Sequence, residues 1–203
     1  MKTLLLRLLF LKISIFSFFL GISQSQRSFA KYRWVIEKSS TLQVDGKSNV
    51  CKFSCKTPDY PYLDTITVLE NSSANITLTG EIEMEVESFK CNTVMMTKGL
   101  RKAVKMSEYP KMKIRFINLE SMPVLSKKNE IIKGWVEITL AGVIKQFEIN
   151  YGLLSNGNAI LQLNGQHSFL FTDFHLVPPS KFGGIIRISN DFDVNFQLIL
   201  RTI

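Results

Sequence analysis

The chain of 203 residues carries 25 lysine and arginine residues against 17 acidic ones, and 45% of its residues are hydrophobic. This length suits one domain, or at most two small ones, and the apolar content excludes a disordered or collagen-like chain. With two histidines and three cysteines, the chain offers little material for a histidine-based metal or catalytic site. The composition favours a globular binding protein.

The first 25 residues have the layout of a secretory signal peptide. Three basic residues accompany an apolar run over 13–22, and the segment Ser23-Gln24-Ser25 supplies the small residues of a cleavage site. The alternative is an uncleaved membrane anchor, but two of the charges interrupt the apolar stretch, which falls short of the roughly 20 residues that a spanning helix needs. Cleavage after residue 25 would leave one domain, 26–203, with 178 residues and a net charge of +5. We expect this domain in the periplasm or outside the cell.

Export places the three cysteines in a compartment that permits disulfides. Alternation along 49–56 puts Cys51, Phe53 and Cys55 on one face, opposite lysine and serine, so we expect them to point inward. Cys91 follows a second alternating run. The preferred arrangement is a Cys55–Cys91 disulfide with Cys51 as a buried thiol. Three free buried thiols remain the alternative, because connectivity cannot be read from sequence.

Most of the mature chain alternates between apolar and polar residues with a period of two, which is typical of half-buried strands. The clearest runs are 82–87, 112–116, 136–140, 143–151 and 192–200. Turn signals at Asp45-Gly46, Gly142 and Asn164-Gly165 separate such runs. The pattern predicts an all-β fold of eight to ten antiparallel strands, closed into a barrel or folded into a sandwich.

One segment has helical spacing instead. Over 95–108 the apolar residues form one stripe, Thr97 is a candidate N-cap, and Tyr109-Pro110 ends the helix. The helix could be a lid or plug over one end of a barrel, or a connection packed on the sheet. Its basic residues lack interleaved aromatic residues, so they favour a solvated face over a nucleic-acid site.

The sequence carries no nucleophile elbow, phosphate-binding glycine loop or paired-cysteine metal motif. Asp173 and His175 would share one strand face, but without a third ligand they predict an exposed pair and not a metal site or acid/base pair. We therefore expect neither an enzyme nor a bound cofactor or metal.

The large number of inward-facing apolar residues in the predicted strands and helix is the main indication of function. An eight-stranded barrel has an interior that side chains can fill or that can hold one slim ligand. On pattern alone, a solid core is favoured, because inward apolar faces are the default. The predicted interior residues are Phe53, Met84, Val86, Phe89, Leu100, Val104, Phe116, Ile138, Leu140, Phe147, Ile149 and Phe196.

Short motifs along nearly the whole mature chain resemble the YceI-like family of exported lipid- and polyisoprenoid-binding proteins. The matching segments are Trp34-Val35-Ile36-Glu37 with Ser40 to Gly46, Ser48 to Cys55, Ser88-Phe89-Lys90-Cys91 with the helix and Tyr109-Pro110, Gly134 to Lys145, and Thr172-Asp173-Phe174. Each motif is degenerate, but their order and spacing are specific. The chain departs from better-known members at Ser39-Ser40 and Met95-Met96-Thr97, where polar groups that choose the ligand's head group would lie.

The resemblance implies an extended, lipocalin-like antiparallel barrel with one helix near an end. It also implies a long hydrophobic ligand held inside, such as a polyisoprenoid, a quinone or a fatty-acid derivative, for transport, storage or sensing. Such a protein would have a lipid or isoprenoid partner and no nucleic-acid partner, with room for transient contact with a membrane surface. The alternative is a structural or interaction protein of the cell envelope whose barrel is filled by its own side chains.

Overall fold

The computed structural model describes residues 30–58, 60–70, 76–123, 130–155 and 160–203. The predicted signal peptide, 1–25, lies outside the described residues. Within the described ranges, no helix has the length and apolar character required to cross a membrane.

The described residues form twelve strands and one α-helix, joined by turns and short 3-10 segments. The strands are β1 (Ala30–Ile36), β2 (Thr41–Ser48), β3 (Lys52–Lys56), β4 (Thr65–Glu70), β5 (Ile76–Glu85), β6 (Lys90–Cys91), β7 (Lys111–Leu119), β8 (Glu130–Leu140), β9 (Val143–Ser155), β10 (Ile160–Leu170), β11 (Ser180–Lys181) and β12 (Ile186–Thr202). The helix α1 spans Val94–Ala103 and lies between β6 and β7.

Eight of these strands close an antiparallel barrel in the order β1-β4-β5-β7-β8-β9-β10-β12. The end of β12 completes the barrel by pairing with β1, with Leu200 opposite Ile36. The earlier part of β12 pairs instead with β2, which continues through β3 to β6. The predicted barrel with one helix is therefore confirmed, and β2, β3 and β6 extend its wall.

Alternation along β5, β7 and β8 separates an apolar inner face from a charged outer face. On the outer face, Lys111 pairs with Glu83 at 2.5 Å between Nζ and Oε1, and Arg115 pairs with Glu137 at 2.7 Å. Exposed pairs of this kind add little stability. They fix which face of each strand meets water, because a register slip of one residue would turn the charges inward.

The disulfide between Cys55 and Cys91 joins β3 to β6 at a directly opposed pair of residues. The expectation that Cys51 is a buried thiol is wrong, since Cys51 is free and exposed. It precedes the first residue of β3, in a turn where its N–H donates to the Ser48 hydroxyl at 3.0 Å. The alternation that puts Phe53 and Cys55 inward does not extend to Cys51.

The helix is shorter than predicted and begins earlier. Its N-cap is Thr93, whose hydroxyl accepts from the Met96 N–H at 3.2 Å, and not Thr97. The Thr97 hydroxyl, inside the first turns, donates to the Thr93 carbonyl. The helix ends at Ala103, and the left-handed backbone of Lys105 prevents its continuation to residue 108.

Two of the predicted turns lie inside strands instead. Asp45-Gly46 falls within β2 and Asn164-Gly165 within β10. A Cβ on Gly46 would fall 2.3 Å from the ring of Phe53, and one on Gly165 would fall 2.0 Å from the ring of Phe196. Both glycines therefore leave room for an aromatic ring that lies flat on the inner wall. Gly142 does lie in a turn, between β8 and β9, with a φ of 80°.

Candidate functional site

The inside of the barrel has a solid half, which we define by seven side chains that are at most 3% exposed and do not line the apolar cavity described below. They are Trp34, Ile66, Val68, Ile76, Leu119, Leu153 and Leu200. Close packing of this kind is the ordinary state of a protein interior. The solid half fills the barrel where β1 and β4 form its wall.

The other half of the barrel contains a partly open cavity of about 150 Å³. An engineered apolar cavity of about this volume stays dry and binds small apolar molecules. Inward residues of β2, β5, β7, β8, β9, β10 and β12 line the cavity, and α1 adds Leu100, followed by Val104. The helix segment is therefore part of the cavity wall and not merely a connection on the sheet.

Eleven of the twelve interior residues predicted from the sequence line this cavity. The exception is Phe147, which lies beside it and packs edge-on against Phe169 at 4.8 Å between ring centroids. Phe147 follows the alternation of β9, but a second layer of rings separates it from the open space. Sequence reasoning missed further lining residues on the same faces, including Met112, Ile114, Phe169, Phe171, Phe192 and Val194.

Several polar side chains reach the cavity but are hydrogen-bonded to the wall. The Ser40 hydroxyl accepts from the Ile199 N–H at 3.0 Å, and the Thr57 hydroxyl donates to the Leu42 carbonyl at 3.3 Å. The Tyr60 hydroxyl donates to Asp64, and burial together with this hydrogen bond raises the pKa of Tyr60. These groups are satisfied, so the wall that they form behaves as apolar surface.

Tyr151 and His167 also line the cavity, and neither side chain makes a hydrogen bond with the described part of the chain. Tyr151 is 3% exposed, and burial raises the pKa of its hydroxyl, which stays protonated. His167 is half-buried beside Phe169, with 4.5 Å between ring centroids. Burial lowers the pKa of His167, although the nearby Asp173 carboxylate acts in the opposite direction.

Asp173 and His175 do not share a strand face as predicted. Asp173 lies in a 3-10 turn, Phe171–Phe174, and His175 ends it with a left-handed backbone at φ 52°. Burial alone would raise the pKa of Asp173, but an ion pair with Lys145 at 2.5 Å and the Leu170 N–H at 2.8 Å lower it. Asp173 thus anchors the turn to β9, and His175 is exposed.

No lysine, arginine, aspartate or glutamate lines the cavity among the residues that the structure describes. In the same part of the chain, no group of three histidine, cysteine or acidic residues could hold a metal ion. The cavity can therefore bury apolar surface and make a few neutral hydrogen bonds. It offers no paired charges for acid/base chemistry.

The sequence matches no family model, and no curated protein is significantly similar to it. The fold does match solved structures. A polyisoprenoid-binding domain from Saccharophagus degradans, implicated in plant cell wall breakdown, superposes with a TM-score of 0.56 and 11% identity, over 84% of this chain and 98% of that chain. The chain has the fold of that domain.

A second solved structure supports this assignment of the fold. BcnA from Burkholderia cenocepacia matches with a TM-score of 0.57 and 12% identity, over 79% of this chain and 95% of that chain. The YceI protein of Campylobacter jejuni matches with a TM-score of 0.46 and 15% identity, over 60% of this chain and 70% of that chain. The fold that the sequence resemblance implies, an antiparallel barrel with one helix, is confirmed by the Saccharophagus domain and by BcnA.

Proposed function

We propose that this protein is an exported carrier or sensor that holds one long, slim apolar molecule inside its barrel. The observation that carries the proposal is the cavity of about 150 Å³, lined almost entirely by apolar side chains, beside a solid half that is well packed. A barrel that served only as a structural element could fill this space as it fills the other half. The polyisoprenoid-binding domain with the same fold supports the same class of ligand.

The volume restricts the ligand. Pockets for drug-sized ligands occupy about 300–1,000 Å³, so the free space of about 150 Å³ suits a thin chain and not a broad ring system. A longer chain requires the lining side chains to move. Met84 and Met112 line the cavity, and methionine adapts easily because it is unbranched. We therefore expect polyisoprenoid, quinone-tail or fatty-acyl chains.

Burial drives this binding. Each methylene that leaves water contributes about 0.8 kcal/mol, and the ordering of the chain and of the lining side chains offsets part of that sum. Because no charged side chain lines the described cavity, affinity should grow with chain length until the cavity is full. No catalytic step is part of the proposal.

The decisive experiment is native mass spectrometry of the mature protein purified from its secretory compartment, followed by organic extraction and lipid analysis. We expect one hydrophobic adduct per chain. A clean apo mass that persists after incubation with prenyl and acyl chains of increasing length would overturn the proposal and favour a ligand-free structural role.

Variants on one strand separate the cavity from the outer surface. Ile138 lines the cavity and Thr139 is the next residue of β8, on the opposite face. Ile138→Asn should abolish loading, while Thr139→Asn should keep it. If Ile138→Asn does not fold, Val194→Phe provides a second test, since it fills the cavity with apolar volume. Full loading of a folded Val194→Phe variant would count against this cavity.

A further inference from the structure

Two polar side chains at and next to the inner end of the cavity make no hydrogen bond with the described part of the chain. Tyr151 is the last cavity-lining residue of β9, since Leu153, the next inward residue, is fully buried. On β10, Gly165 lies opposite Tyr151, and His167 is the next inward residue away from the solid half, where its ring packs against Phe147 and Phe169. Diagonal positions on one face of a sheet lie about 7–8 Å apart, a span that one ligand atom between two long side chains can bridge.

These two groups are difficult to explain as parts of the wall. Other polar groups at the cavity, such as the Ser40 and Thr57 hydroxyls, are hydrogen-bonded to the backbone. The Tyr151 and His167 side chains border the open space, so a water or a ligand in the cavity is the partner within their reach. Tyr151 is also packed in place, with its ring 5.6 Å from that of Phe196 between centroids.

We propose that Tyr151 and His167 bind an uncharged oxygen atom of the ligand, as in a ketone, quinone, phenol or alcohol, at the inner end of the cavity. The inference rests on the proposed function and names the chemical class of the ligand. It requires the oxygenated end of the ligand to enter the barrel first. The hydrocarbon chain then extends along the lining towards α1.

The charges of the site favour a neutral group over an anion. The Tyr151 hydroxyl stays protonated and can donate, and the neutral imidazole of His167 offers one donor and one acceptor. No lysine or arginine lines the described cavity to neutralise a phosphate or carboxylate. The charged group that acts on His167 is the Asp173 carboxylate, which is already paired with Lys145, so this pair supplies no net positive charge to hold an anion.

Competition measured by native mass spectrometry tests the assignment. The mature protein is mixed with three prenyl compounds of equal chain length: an alcohol, the matching hydrocarbon and the matching monophosphate. We expect the alcohol adduct to exceed the hydrocarbon adduct about 10-fold, which corresponds to one hydrogen bond to a buried group. The phosphate adduct should be the weakest.

Tyr151→Phe removes one oxygen atom and preserves the shape of the ring. In this variant the amount of the alcohol adduct should fall to about that of the hydrocarbon adduct, which should not change. His167→Leu should lower the alcohol adduct in the same way. Tyr32→Phe is the matched control, because Tyr32 is exposed on β1. It should keep the full preference.

The outcomes separate this inference from the proposed function. Three results would each overturn the neutral-oxygen site and leave the carrier role intact. They are equal binding of the alcohol and the hydrocarbon by the wild-type protein, a preference for the alcohol that persists in the double variant Tyr151→Phe with His167→Leu, and tightest binding of the phosphate. Absence of every adduct would overturn both.

Discussion

Replacing Gly165 by alanine should push an aromatic ring into the cavity. Gly165 lies opposite Phe196, and a Cβ there would fall 2.0 Å from the Cζ atom of that ring. Non-bonded carbon atoms prefer about 3.5–4.0 Å, so the ring must retreat by at least about 1.5 Å. Because Phe196 lines the cavity, the free space open to the ring is the space that we assign to the ligand.

The two effects of Gly165→Ala should differ in size. Overpacking costs about 1–3 kcal/mol, and the low end is expected here because the ring moves into an empty space. If the ring displaces two methylenes of a bound chain, affinity should fall about 10-fold. Urea unfolding and competitive native mass spectrometry measure the two quantities. Gly99→Ala, where a Cβ meets nothing within 4 Å, is the control and should stabilise α1 by up to about 1 kcal/mol. Unchanged loading of a folded Gly165→Ala variant would refute the reasoning.

Three further predictions concern stability. Replacing Cys55 and Cys91 together by alanine should lower the free energy of unfolding by about 2–4 kcal/mol, because their disulfide spans 36 residues. The control Cys51→Ala, at an exposed thiol, should change it by less than about 0.5 kcal/mol. If urea unfolding gave the same loss of stability for both variants, the pairing would be contradicted. The free energy of unfolding should fall between pH 7 and pH 5, because burial holds the pKa of His167 below its ordinary value and the unfolded chain takes up a proton that the folded protein does not. If the free energy of unfolding of His167→Gln fell just as steeply with pH, this explanation would be wrong. Thr93→Ala should cost about 1 kcal/mol and speed amide exchange in the first turn of α1, and unaltered exchange would exclude the cap.

The fold could be predicted from the sequence because one face of most strands is buried. Along β5 and β8, residues such as Ile82 and Ile138 alternate with charged partners, and a period of two then fixes which side faces the core. The helix was harder to place. Thr93 and Thr97 are both reasonable caps by sequence, and the choice depends on the extended backbone at Thr93, which tertiary contacts set.

The glycines show where local reasoning fails. Asp45-Gly46 and Asn164-Gly165 have the composition of hairpin turns, yet each lies in the middle of a strand. What determines these glycines is a ring on a neighbouring strand, Phe53 or Phe196, that occupies the place of a side chain. The Gly165–Phe196 contact joins residues far apart in sequence, and the Gly46–Phe53 contact depends on how two consecutive strands pair, so the dipeptide composition reveals neither contact.

The position of the cavity was beyond sequence reasoning for a related reason. Tyr151 and Leu153 are consecutive inward residues of β9 and look equivalent in the alternation, but one borders open space and the other lies in the solid half. The difference depends on how side chains from all eight strands of the barrel fill its cross-section at that level. Alternation predicts which residues face inward. The summed volumes of those side chains decide whether they touch one another across the barrel or leave a cavity.

A half-solid barrel also offsets the cost of forming a cavity. A cavity of about 150 Å³ costs on the order of 3–4 kcal/mol, at about 24 cal/mol per Å³. The disulfide between β3 and β6, at the hollow end, contributes a stabilisation of about the same size. The solid half supplies close-packed side chains that need no ligand. Binding of an apolar chain would then return the energy of the cavity, so the loaded protein should unfold at a higher temperature than the empty one, by an amount that grows with ligand concentration.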